Sequence, residues 1–134
     1  MNWHEKTFDQ QVYPVLLKVI LTDDVERLKG HLGVENWHGY ATTFDSSIKN
    51  RRTVVIALNL WRDPAITHGV ITHESVHAAD FIFQICDIVH DFDNPEPYNY
   101  LAGWITNQVY ETIHKYKLEN LIKLHKDRWI KTNK

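Results

Sequence analysis

Five consecutive residues, His73-Glu74-Ser75-Val76-His77, form an H-E-x-x-H motif. On an α-helix, residues four positions apart lie on the same face, so both imidazoles can bind one metal ion. Zinc takes nitrogen ligands of this kind, and a glutamate beside the first histidine can act as a general base on a water molecule. The motif therefore predicts a hydrolytic zinc site in which His73 and His77 are ligands and Glu74 is the catalytic base.

The motif also has a simpler interpretation, in which His73 and His77 are hydrogen-bonded core histidines and Glu74 faces solvent. The surrounding sequence predicts a helix from about residue 65 to residue 89, with Asp63-Pro64 as its start. Apolar residues around much of this helix indicate a largely buried element. We favour metal binding, because one ion would satisfy three polar groups that otherwise need three separate partners.

Composition limits the class of protein. A chain of 134 residues with 43% hydrophobic content predicts one compact domain spanning residues 1–134. Cys86 is the only cysteine, which excludes an intrachain disulfide and a thiolate zinc cluster. Any metal must therefore bind histidine and carboxylate. The first residues do not resemble a secretory signal, and no long uncharged apolar stretch is present, so we expect a cytoplasmic protein that does not contact a membrane.

Charge is distributed unevenly along the chain. Residues 1–114 carry eight Lys and Arg against fifteen Asp and Glu, whereas residues 115–134 carry seven against two. We name residues 115–134 the basic tail, and expect it either to extend the preceding helix or to fold back as another one. Its cations could track phosphates. Pairs such as Glu119 with Lys123 are more typical of a solvated helix face, so we do not favour nucleic-acid binding.

The motif helix is expected within an α+β fold of the order β-α-β-β-α-α, with a short sheet packed on that helix. The apolar and polar patterns predict strands and helices at these positions: a strand over Val12–Leu21, a helix over 23–32, an antiparallel strand pair over Trp37–Phe44 and Thr53–Leu60 joined by a polar connector, the motif helix, and a helix over 97–114.

This arrangement resembles the zincin metallopeptidases, and specifically the gluzincins, in which a glutamate opening a later helix follows H-E-x-x-H. Here the matching residues are the motif and Glu96 in Glu96-Pro97-Tyr98-Asn99-Tyr100. The strand pair before the motif is similar to the small sheet of that family, whose edge strand holds an extended substrate. The segments 77–80 and 100–104 are similar to small predicted metallopeptidases encoded in phage and prophage genomes. The resemblance implies zinc-dependent hydrolysis of peptide or protein substrates.

A catalytic zinc usually has three protein ligands and leaves a fourth position for water. Asp80 lies seven residues from His73, about 10 Å along the axis, which is too far for one straight helix to place both on one ion. We expect it to orient a ligand or a neighbouring backbone group, or to hydrogen-bond a buried contact. The resemblance implies Glu96 as the third ligand, and residues 90–95 can span the distance if extended. A tight antiparallel return would favour Glu111 instead.

Two further expectations complete the sequence-based hypothesis. A donor to the developing oxyanion is required, and the candidates are Tyr98, Tyr100, Tyr110 and His68. The alternative function is a protein- or nucleic-acid-binding module that acts through the basic tail, with the zincin-like core as its scaffold.

Overall fold

A four-stranded mixed sheet with helices on both faces forms the body of the protein. The structure is a computed structural model, and it describes residues 1–37, 39–48 and 51–132. In chain order the elements are β1 (Trp3–Asp9), β2 (Leu16–Thr22), α1 (Val25–Leu32), β3 (Ala41–Ile48), β4 (Arg51–Asn59), α2 (His68–Ile85) and α3 (Glu96–Thr132). The predicted α+β class and the order β-α-β-β-α-α are confirmed from β2 onward. The strand β1 was not predicted.

The strands lie in the order β1-β2-β4-β3. The inner pair, β2 and β4, is parallel, and each outer strand is antiparallel to its neighbour. The predicted antiparallel pairing of the two β-rich runs is therefore confirmed as β3 with β4. Both strands reach into residues 45–52, which we expected to be a connector, because main-chain pairing such as Ser46 with Thr53 does not depend on apolar side chains.

The central strand β4 supports helices on both faces of the sheet. Val54, Ile56 and Leu58 belong to the core beneath α2 and α3, whereas Val55 and Ala57 pack with the core beneath α1. Successive side chains of a strand point to opposite faces, so a strand covered on both faces is apolar throughout. This strand therefore provides part of the apolar surface on which α2 packs.

The motif helix α2 begins later than the sequence suggested. The predicted start at Asp63-Pro64 is wrong, because these residues lie in a short 3₁₀ segment, Leu60–Ala65. The N-cap is Thr67, whose hydroxyl accepts the N–H of Val70 at 3.3 Å. Capping by Thr67 satisfies an amide group that has no partner within the helix, and α2 therefore starts at His68.

The same helix ends about one turn before its predicted end. Ile85 is its last residue, and Asp87 has a left-handed φ of 58°. The N–H of Ile88 then donates to the Phe83 carbonyl at 2.8 Å. Bonds of this type cap the C-terminus of a helix, and they direct the chain into the segment that leads to α3.

The helix α3 is continuous for 37 residues, a length of about 55 Å. It runs antiparallel to α2, since Tyr98 near its start contacts Asp80, and Tyr110 contacts His68 at the start of α2. The described part of the basic tail extends this helix to Thr132. The alternative in which the tail folds back as another helix is therefore wrong.

Candidate metal centre

The two histidines of the motif converge on one point in space. His73 Nε2 lies 3.0 Å from His77 Nε2, and the two ring planes are 80° apart. Two nitrogen ligands at the usual distance from a tetrahedral zinc ion lie roughly 3.3 Å apart, so the observed separation fits a shared ion. An N–H···N hydrogen bond between two neutral rings has a similar length. The geometry of the pair therefore suits either a shared ion or a direct contact between the rings.

The helix α2 presents both histidines on its exposed face. On its opposite face, Ile71 and Ala78 are buried in the core. The expectation of a helix buried around most of its surface is therefore wrong, because the sheet and α3 cover one face only. The simpler interpretation of the motif is also wrong, since His73 and His77 are exposed whereas Glu74 is buried.

A threonine from the neighbouring strand holds the motif glutamate. Glu74 is buried, with only 7% of its surface exposed. The Thr43 hydroxyl donates to the Glu74 carboxylate, and the same hydroxyl lies 3.2 Å from the Glu74 carbonyl oxygen. A buried carboxylate needs such a donor. Thr43 was not predicted from the sequence, because a contact between residues 31 positions apart leaves no local pattern.

An open cleft of about 410 Å³ lies between β3 and the first half of α2. His73 and Glu74 line it from the helix, and Tyr40 and Ala41 line it from the start of the strand. Within the sheet, β3 is the edge strand and pairs with β4 alone in the described part of the chain. Main-chain groups along its outer edge are therefore adjacent to the motif.

Among the described residues, no third ligand joins the histidine pair. The described residues contain no group of three His, Cys, Asp or Glu side chains that could hold a metal ion. Glu96 opens α3, as the resemblance implied, and is exposed. The start of α3 does lie beside the motif, because the Tyr98 hydroxyl donates to the Val76 carbonyl at 3.3 Å. The role of Glu96 as a ligand stays a prediction.

The direction of both candidate glutamates explains why neither joins the pair. Glu111 lies two residues beyond Val109, which is buried in the core beneath α2 and α3. Two residues correspond to about 200° around a helix, so the Glu111 side chain leaves α3 on the side away from its core face. Glu96, two residues before the buried Tyr98, has the same offset. Either carboxylate requires a rearrangement before it can reach a shared ion.

Asp80 is engaged by α3. The Tyr98 hydroxyl donates to Asp80 Oδ1 at 2.8 Å. Burial of the phenol and the hydrogen bond to this carboxylate raise the pKa of Tyr98 to about 12, so the phenol stays neutral and remains a donor at ordinary pH. Of the roles considered for Asp80, the hydrogen bond to a buried contact is therefore confirmed.

The oxyanion donors considered from the sequence have other partners or lie exposed on α3. The Tyr110 hydroxyl and His68 Nδ1 hydrogen-bond each other at the first residue of α2. Tyr98 is bound to Asp80, and Tyr100 is 75% exposed. The oxyanion role of all four residues stays untested.

Comparison of the chain with protein-family models, curated proteins and solved structures gives no match. Within the described residues, no helix combines the length and the apolar character needed to cross a membrane. The geometry around the motif is therefore the basis for any functional assignment.

Proposed function

We propose that this protein is a zinc-dependent peptidase of the zincin type. The observation that carries the proposal is the convergence of His73 Nε2 and His77 Nε2 on the exposed face of α2, beside a buried Glu74. Helical spacing alone gives two histidines on one face. The short distance between the two Nε2 atoms and the carboxylate of Glu74 beside them are additional features that a metal hydrolase needs.

The donor set fits zinc better than calcium or magnesium. Imidazole nitrogen suits zinc, whereas calcium and magnesium prefer oxygen ligands. Bound zinc would polarise a peptide carbonyl and lower the pKa of a water molecule towards about 7. We assign His73 and His77 as ligands and Glu96 as the third ligand, with Glu111 as its rival. The hydrogen bond from Tyr98 to the Val76 carbonyl holds the first turn of α3 close to the motif, and binding through Glu96 then requires its side chain to turn towards the histidines.

Glu74 is the general base of the proposed reaction. Its carboxylate accepts the proton of the attacking water and then delivers it to the leaving amine. Thr43 is a positioning residue, since its hydroxyl fixes the carboxylate from the strand side. A carboxylate has about four acceptor positions, so this hydrogen bond leaves others available for the water.

Cysteine chemistry has little support as an alternative. Burial raises the pKa of the Cys86 thiol, which lowers the fraction of reactive thiolate. Cys86 is also the C-cap of α2, more than two turns from His77. We therefore assign hydrolysis to the motif and a protonated, unpaired state to this thiol, as in the cytoplasmic setting expected from the sequence.

The proposed substrate is an extended peptide. An edge strand can pair with an added strand through main-chain hydrogen bonds, which bind peptides without demanding one sequence. The outer edge of β3 and the cleft between β3 and α2 offer such a position beside His73 and Glu74. Cleavage of unfolded protein chains is the activity expected from this arrangement.

The decisive experiment compares metal content and hydrolysis in wild-type protein and Glu74→Gln. Protein purified without a histidine tag should contain about one zinc per chain and should cleave an unfolded protein substrate. Glu74→Gln should keep the zinc, because this residue is not a ligand. Its hydrolysis rate should fall roughly 10²- to 10⁴-fold, the range for loss of a general base.

Glu119→Gln is the matched control, since it makes the same chemical change on an exposed part of the basic tail. It should keep both zinc and activity. Equal hydrolysis by wild type and Glu74→Gln, or wild-type protein that holds no zinc at micromolar metal, would contradict the proposal.

A further inference from the structure

A second cavity lies on the core side of the first turn of α2, away from the histidine pair. Its volume is about 430 Å³, within the range of small-molecule sites. Apolar side chains from the ends of β2 and β4, from α2 and from α3 form its walls, including Leu21, Leu58, Ile71 and Ile113. The carboxyl ends of parallel strands, such as this pair, are a common position for ligand sites.

The polar part of the lining is basic or neutral. Lys117, His114 and His68 contribute to it, and no Asp or Glu is among the described residues that line the cavity. The helix α2 begins at His68, so its first amide groups add positive potential at the same place. The cavity therefore favours an anion that also has apolar surface.

A buried polar atom without a partner lies behind one wall. His4 Nε2 is buried and has no hydrogen-bond partner among the described residues. His4 pairs with Leu21 across the sheet, and its ring packs against Tyr116. Both of these residues line the cavity. Buried ring nitrogens are normally hydrogen-bonded, so the unused hydrogen-bonding capacity of His4 Nε2 is an unusual feature of this wall.

We propose that this cavity binds a small organic carboxylate with an extended apolar body, of the kind represented by a medium-chain fatty acid. The carboxylate contacts Lys117 and His114, which lie three residues apart on one face of α3. The apolar chain packs against Ile113 and the ends of β2 and β4. This site is independent of the proposed peptidase activity, because His73 and Glu74 line the other cleft and none of His73, Glu74 and His77 lines this cavity.

Calorimetric titration of the whole chain with decanoate tests the proposal. Decanoate should bind saturably, and decanol, its neutral analogue, should bind about tenfold more weakly because it lacks a charge-assisted hydrogen bond. Lys117→Ala should weaken decanoate binding by about tenfold and leave decanol binding unchanged. Lys115→Ala is the matched control, since Lys115 is exposed and does not line the cavity. It should change neither affinity.

Two measurements locate the bound molecule. Ile113→Trp should fill the cavity and abolish binding while circular dichroism stays unchanged. If this variant does not fold, amide shift changes in the wild-type protein decide the question, and we expect them around Leu21, Leu58 and Ile71. The proposal is overturned by the absence of saturable decanoate binding, by equal affinity for decanol, by equal losses in the two lysine variants, or by shift changes confined to residues beyond 118.

Discussion

Histidines occur both on α2 and on the distal part of α3, residues 118–132, but their surroundings differ. Ile71 and Ala78 anchor one face of α2 in the core, and the opposite face carries the converging pair His73 and His77. Along α3, the described side chains from Leu118 to Thr132 are exposed. A helix without a packed face gains little stability from tertiary contacts. We infer that helical spacing alone does not make a metal site, and that a second element is needed to fix the helix.

The strand β3 is that second element for α2. Its residue Thr43 reaches Glu74, and its outer edge borders the same cleft. From Leu118 to Thr132 of α3, by contrast, the described side chains are exposed. The contrast predicts that changes on α2 and β3 alter metal binding and hydrolysis strongly, whereas equivalent changes on the distal part of α3 do not.

The largest expected effect follows removal of either histidine of the pair. His73→Ala and His77→Ala should each abolish stoichiometric zinc binding, because one remaining imidazole cannot hold the ion at micromolar concentration. Metal analysis after gel filtration measures this directly. His125→Ala makes the same change on the distal, exposed part of α3 and should retain all the zinc. Full occupancy in a His73 or His77 variant would show that the 3.0 Å contact is a hydrogen bond between rings.

The next effect concerns the third ligand. Removal of a group that merely supports a ligand lowers metal affinity about 10- to 100-fold, so loss of a ligand should cost at least as much. We expect this loss in Glu96→Ala and only a minor change in Glu111→Ala, measured by competition with a zinc chelator. The reverse result would show that the ligand choice is wrong. If both variants bind zinc with wild-type affinity, His73 and His77 are the only protein ligands of the ion.

A smaller effect is expected at Thr43. Thr43→Val removes one hydrogen bond to a carboxylate, and kcat/KM should fall about tenfold. Thr43→Ser keeps the hydroxyl and should recover most of the rate, which a role in packing alone would not explain. Thr42→Val is the matched control, because neighbouring residues of a strand point to opposite faces. Zinc content should be the same in all three variants, and a loss of zinc in Thr43→Val would contradict a positioning role.

The parts of the fold that the sequence predicted were encoded locally. The motif spacing placed both histidines on one helix face, and Gly33, with a left-handed φ of 69°, ends α1 where the sequence suggested. The strand β1 was missed, because Trp3–Asp9 contains several charged residues and is defined by its pairing with β2. Local pattern likewise favoured Asp63-Pro64 as a helix start, whereas Thr67 makes the capping bond.

The candidate site was less predictable than the motif within it. The burial of Glu74 and its contact with Thr43 depend on how β3 packs against α2. The sequence between Thr43 and Glu74 does not determine this packing. The direction of Glu96 on α3 was also undetermined, because the helix start was predicted but its rotation relative to α2 was not. Rotation is set by the buried residues Tyr98 and Leu101, which pack in the shared core.

The smallest effect is expected from the basic tail, and it tests the alternative function. The combined variant Lys123→Gln, Lys126→Gln and Arg128→Gln removes three exposed cations, and surface changes of this kind alter stability by about 0.5 kcal/mol or less each. Hydrolysis and zinc content should stay within about twofold of wild type, because screening weakens charge effects over a Debye length of about 10 Å.

Binding of a fluorescent single-stranded oligonucleotide at increasing salt provides the second measurement. We expect weak binding in wild type and in the triple variant. If wild type and Glu74→Gln instead bind the oligonucleotide tightly and in a salt-dependent way, and the triple variant does not, the function belongs to the basic tail. The helix α2 with its histidine pair would then be the scaffold.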